Sequence, residues 1–310
     1  DDATAARING LLARIPEAER TRWLARADIA AALGFAWGEA RFWEAAIDCL
    51  STAVSAAKGN CPLRALEQLA NFRARHATEL WQSRRARGVV ETADETQARA
   101  DLMDRAIADL TQLCERAPTA ERLDLLGSAH KRRALAAESD PAARLAALDA
   151  CADAYLKSFE RGERKEAYPF TNWASAALLA WRLDAKRADD WRQGLETDIA
   201  RLQAALQTRY DSEPDFWDGV ALADLELVRL LERCINAPAS GARARRTASL
   251  PRPCAEIAER IDDGYRRVIT RGASPRERAS VLENLDCLVI LLGQDLPALR
   301  KALAEIRDAL

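Results

Sequence analysis

The stretch Glu121-Arg-Leu-Asp-Leu-Leu-Gly-Ser-Ala-His-Lys-Arg-Arg-Ala134, with Ala147, Cys151 and Ala154 following it, decides the fold. Leu123, Leu126, Gly127 and His130 recur at intervals of three and four, the period of one α-helical face. Asp140-Pro141 then interrupts the run in the way that opens a new helix, since proline suits a first turn and aspartate caps it. Ala147, Cys151 and Ala154 repeat the same period beyond the break. Gly127 and the two alanines are small where two helix backbones would approach closely. The predicted unit is therefore an antiparallel helical hairpin.

Working outward, Pro, Gly and polar clusters divide the rest of the chain into helices of the same kind. The breakers predict helices at 4–14, 16–33 (ended by Gly34), 37–57, 62–87, 96–116, 119–137, 141–160, 167–183, 187–209, 214–235, 253–270, 275–292 and 296–309. Such hairpins follow the length of an α-solenoid repeat. The tetratricopeptide template asks for two large residues, a glycine and an aromatic on its first helix, then alanine, a large residue and alanine on its second. Leu123, Leu126, Gly127 and His130, then Ala147, Cys151 and Ala154, follow it, with histidine in the aromatic place. Ala46, Leu50 and Ala53 fit the second-helix pattern, and Ala106, Leu110 and Leu113 fit it loosely. The expected fold is all-α: stacked antiparallel hairpins in a tetratricopeptide-like α-solenoid, with a closed helical bundle as the competing architecture. The expected division is a repeat domain over 1–235, a loop or linker over 236–252 that carries Arg243, Arg245, Arg246 and Arg252, and a C-terminal helical cap over 253–310.

Three segments go further. Pro62-Leu-Arg-Ala-Leu-Glu-Gln-Leu-Ala-Asn71, the 121–134 stretch and Ala167-Tyr-Pro-Phe-Thr-Asn-Trp-Ala-Ser-Ala-Ala177 together resemble the divergent tetratricopeptide region of apoptosis signal-regulating kinases and of bacterial signalling or defence proteins. The resemblance spans roughly 50–190. It implies a regulatory module that recognises a protein or senses a ligand, coupled to a caspase-like (CHAT) or other effector elsewhere. The chain departs from the pattern at His130 and shows no peptidase domain.

Composition narrows the classes. The 310 residues carry 46 basic and 48 acidic side chains, a formal charge of -2, which excludes a globally basic nucleic-acid binder. Only six of the basic residues are lysine, a bias that points to a GC-rich genome. With 13 Gly and 11 Pro, the chain has too few turn residues for a sandwich or a doubly wound sheet. No apolar run is long enough to span a membrane. The seven cysteines are scattered without a C-x-x-C pair, as expected of buried thiols in a reducing cytoplasm. The opening Asp1-Asp2, with no basic-then-apolar leader, fits a piece of a larger polypeptide.

Chemistry-bearing patterns are sparse. His76 and His130 are the only histidines, and neither has partners at metal spacing, so no metal and no cofactor are expected. Cys61 with His76, or Cys114 with His130, would make a nucleophile pair only through tertiary contact. Asp189-Asp190 and Asp262-Asp263 do not extend into a D-D-x-x-D metal motif. Trp173, Trp181 and Trp191 read as core filling before they read as a ligand cage. If first helices line a groove, Asn71, Arg73, Arg75, His130, Lys131 and Asn172 form the candidate clamp for an extended peptide or an acidic ligand, the asparagines pairing with its backbone. The competing reading of these residues is a solvated face with ion pairs to Glu67, Glu121 or Asp124. The expected function is protein recognition or ligand sensing, not catalysis. The alternatives are an all-helical enzyme with a site near Tyr168–Trp191 and a structural oligomerisation domain.

Overall fold

The structure, a computed structural model, describes residues 2–57, 61–184, 190–236, 249–293 and 296–310. These residues are all-α, with fourteen helices. They are α1 (Asp2–Ala13), α2 (Glu17–Leu24), α3 (Ala27–Glu39), α4 (Trp43–Ala56), α5 (Leu63–Arg87), α6 (Ala93–Arg116), α7 (Ala120–Ala136), α8 (Pro141–Arg161), α9 (Ala167–Leu183), α10 (Leu195–Ser212), α11 (Phe216–Asn236), α12 (Arg252–Thr270), α13 (Pro275–Leu291) and α14 (Pro297–Ala309). A 3-10 turn at Asp190–Gly194 precedes α10. Most helices pack mainly on their sequence neighbours, as a tetratricopeptide-like helical repeat requires.

The chain forms two compact units, Asp1–Ala136 and Ala137–Leu310. That boundary falls between α7 and α8, inside the 121–154 hairpin from which the fold was read. The division expected at 236–252 lies mostly outside the described residues. On its far side, α12 packs against α11 within the second unit.

Within the first unit, α5 is buried on two sides. Ala65, Leu69 and Phe72 join Trp43, Ala46, Leu50 and Ala53 of α4 and Trp37 of α3 in one core. Ala70, Ala74 and Ala77 join Met103, Ala106, Ile107 and Leu110 of α6 and Ala129 of α7 in another. A helix with two buried stripes links successive layers, and its alanines set the close spacing. Arg122 at the start of α7 donates to Glu67 on α5 across 2.7 Å, both side chains being buried. This ion pair joins the first two family-like segments; Arg122 is not one of the six candidate clamp residues.

Two boundaries differ from the sequence reading, each for a physical reason. Gly34 sits inside α3 rather than ending a helix; a Cβ there would stand 2.6 Å from Leu50 Cγ, so the glycine admits α4. The turn between α3 and α4 falls instead at Ala40–Phe42, where Arg41 takes φ 64°. The 96–116 helix begins earlier, at Ala93, because Thr92 and Glu95 form a reciprocal capping box. Just before it, Gly88 closes α5 in the left-handed conformation. Arg99 then holds Glu91 at 2.9 Å and keeps that carboxyl below its ordinary pKa, so the linker is tied to α6.

In the second unit, α8 and α9 bury an aromatic set in which Phe159, Phe170 and Trp173 pack on one another, with Trp191 edge-on to Trp173. Trp173 is core, not the wall of an open cage. α11 packs against α9, α10 and α12, and α14 closes on α12 and α13.

Candidate functional site

α4, α5 and α6 line a groove of about 310 Å³ inside the first unit. Its floor is apolar, from Val54, Leu66, Leu69 and Leu113. Its rim is polar, and α6 supplies most of it through Arg105, Asp109, Gln112 and Arg116. These four positions are spaced by four, three and four residues, so they form one stripe along the helix, opposite the buried stripe of Met103, Ala106, Ile107 and Leu110. Ser51 and Ser55, one turn apart on α4, add hydroxyls from the other wall.

Arg73 of α5 reaches into this groove and donates to Asp109 at 2.7 Å. Arg105 shares the same carboxylate at 3.0 Å. Burial lowers the Arg73 pKa below its ordinary value, and Arg105 lowers it further by like-charge repulsion, while Asp109 opposes both. One carboxylate therefore serves two guanidiniums. Arg116, at the end of the stripe, has no charge partner among the described residues. The groove thus carries three arginines against one aspartate, a surplus of two positive charges on an apolar floor. Such a surface favours a carboxylate or another anion, because guanidinium N–H groups meet an anionic oxygen in charge-assisted bonds.

Of the six residues predicted from sequence, Arg73 lines this groove. Asn71 donates to Gln68 on its own helix at 3.0 Å. Arg75 lies over the Trp43 ring, 5.5 Å from its centroid. Arg73 and its neighbours at 71 and 75 are two residues apart, which on a helix turns them by roughly 200°; the three do not share a face. His130 and Lys131 are half-buried on α7. Asn172 belongs to the second unit, where it donates to the Tyr168 carbonyl at 2.9 Å. Sequence reading missed Arg105, Asp109, Gln112 and Arg116 because it followed the family-like segments, and α6 contains none of them. The signal was present in the polar stripe at helical spacing.

Other patterns resolve plainly. All seven cysteines are free thiols. Among the described residues no hydrogen bond joins Cys61 to His76, and no cluster of His, Cys, Asp and Glu could hold a metal ion. Asp262 accepts from Arg266 one turn on. Asp189, like Arg243, Arg245 and Arg246, lies outside the described residues. No helix among the described residues is long and apolar enough to cross a membrane.

No curated protein and no solved structure matches the chain. Residues 42–179, which take in α4, α5, α6 and the whole groove between them, match the family model of TPR-S, Tetratricopeptide Repeats-Sensor.

Proposed function

We propose that this chain is a recognition module of a signalling or defence system, and that its α4–α6 groove receives an acidic ligand whose arrival is passed to an effector elsewhere. The observation that carries this reading is the surplus of two positive charges on an apolar-floored groove lying wholly inside the TPR-S stretch. Tetratricopeptide domains generally bind proteins, so an acidic segment of a protein is the favoured ligand; a caspase-like partner is the effector that the family resemblance suggests. The module binds and does not turn over a substrate. Its affinity comes from charge-assisted contacts to Arg73, Arg105 and Arg116, with Ser51, Ser55 and Gln112 fixing orientation.

The test is co-purification of the full chain with the products of its neighbouring genes, followed by hydrogen–deuterium exchange on any complex obtained. The expected result is slowed exchange in 43–56 and 93–116, with little change in α13 and α14. Slowed exchange confined to other helices, or the absence of any complex, would overturn the assignment.

A further inference from the structure

The surplus charge of the α4–α6 groove is not gathered at one point. Arg73 and Arg105 converge on the Asp109 carboxylate, at 2.7 and 3.0 Å, so this end of the groove carries one net positive charge. Arg105 spends its Nε hydrogen on Asp109, and its side chain is 69% exposed, which leaves the hydrogens of both terminal nitrogens to donate. Arg116 stands two turns farther along α6, about 10.5 Å from Asp109 at the helical rise per residue. It is exposed and supplies the second charge.

The apolar floor lies between those two ends. The pairs Arg73–Asp109 and Arg84–Glu95 show that α5 and α6 run antiparallel. Leu69 and Leu66, one and two turns before Arg73 on α5, are therefore carried toward Arg116, and Leu113 sits one turn past Asp109 on α6. A cation thus brackets the floor at each end. A single phosphate or carboxylate would meet one end and leave the other, and the floor, unused. Two acidic groups joined by an apolar stretch use all three. In an extended chain with three residues per turn, positions i and i+3 share a side and lie about 9 Å apart, close to the spacing of the two cationic ends.

Resting on the reading of this groove as the receiver of an acidic protein segment, we infer that its ligand is an extended segment with two acidic residues three apart in sequence and apolar residues between them. One acid meets Arg105 and the other meets Arg116, while the apolar side chains cover Leu66, Leu69 and Leu113. The ionic contacts set the register, and the apolar contact excludes segments that are merely acidic.

The probe is a fluorescein-labelled, C-terminally amidated peptide, Ser-Gly-Asp-Leu-Leu-Asp-Gly-Ser, titrated with the full chain and followed by anisotropy. Replacing either Asp of the peptide by Asn should weaken binding by about fivefold, the upper range for an ion pair open to solvent. Replacing both Leu by Ser should weaken it at least as much. The deciding measurement crosses these peptides with variants of the chain. Arg116→Ala should make the chain indifferent to one Asn replacement and leave it sensitive to the other; Arg105→Ala should do the reverse. Both arginines are exposed, and circular dichroism of each variant should match the parent. A peptide with one Asp that binds as tightly as the peptide with two, or variants that both lose sensitivity to the same Asp, would overturn the two-acid layout. If Arg105→Glu still abolished that binding, the groove would remain the site and the layout alone would fail. No saturable binding of the two-acid peptide would also overturn the layout, while the proposed function is judged separately, on the exchange pattern of the captured complex.

Discussion

Glu67 and Arg122 show how one pair of side chains fixes the contact of two helices. Both are buried, and Arg122 also donates to the Ala117 carbonyl, so its guanidinium is held at two points. Removing one partner strands a charge in a poorly solvated place, which costs about 3–5 kcal/mol. Glu67→Gln should therefore lower the urea midpoint of the chain strongly, whereas Glu67→Leu combined with Arg122→Met should recover most of the loss. A single variant as stable as the parent would show that the pair is not isolated from water. Tyr265 makes a second statement at this scale. It is fully buried against Asp224, and burial first, then the neighbouring carboxylate, raises its pKa well above the ordinary value of about 10. The unfolded chain therefore releases this proton at lower pH than the folded one, so the stabilisation from Tyr265 is complete below about pH 10 and is lost as pH rises through the folded value. In an alkaline titration followed at the phenolate absorbance, Tyr265 should ionise only as the chain unfolds, and Tyr265→Phe should reduce the amplitude of that late phase.

Helices carry the next level, and here the sequence was legible in an uneven way. Proline and aspartate announce helix starts because their chemistry acts locally, and Asp140 does cap α8 through its contact with the Ala143 amide at 3.0 Å. Glycine is ambiguous, since the same residue ends a helix or admits a neighbour. Gly88 ends α5, with φ 64°, while Gly34 lets Leu50 approach. Only the tertiary contact separates the two, and no local pattern around residue 34 contains it. The groove on α6 was hidden for a related reason: Arg105, Asp109, Gln112 and Arg116 read as an ordinary solvated stripe until α4 and α5 are placed beside it. Arg73 was found because it lies near a family-like segment, and its true neighbours were not. The glycine argument makes a paired prediction. Gly34→Ala drives a Cβ into Leu50 and the Ala46 carbonyl and should destabilise the first unit by about 1–3 kcal/mol. Gly10→Ala meets nothing within 4 Å and should leave stability unchanged or raise it by up to about 1 kcal/mol, because alanine favours the helix. Thermal melts of the two variants check this, and equal shifts would refute the assignment of Gly34 as a close-approach site.

At the scale of the whole chain, near-neutral net charge conceals a local asymmetry of charge. The formal charge of -2 over 310 residues gives no hint of a groove whose lining carries three arginines and one aspartate. The proposed selectivity rests on that local surplus, so binding there should weaken as salt screens it, with a decay length of about 8 Å at physiological ionic strength. The measurement that tests the central claim most directly is the dissociation constant of the full chain for the neighbouring-gene partner it captures, compared between parent, Arg105→Glu/Arg116→Glu and Lys131→Ala. The account predicts that the double reversal weakens binding by at least about a hundredfold, two lost charge-assisted contacts of about tenfold each. It predicts that Lys131→Ala, which lies outside the groove, changes the constant less than about threefold. An Arg105→Glu/Arg116→Glu chain that keeps its helicity and binds as tightly as the parent would contradict the assignment of the α4–α6 groove as the site of recognition.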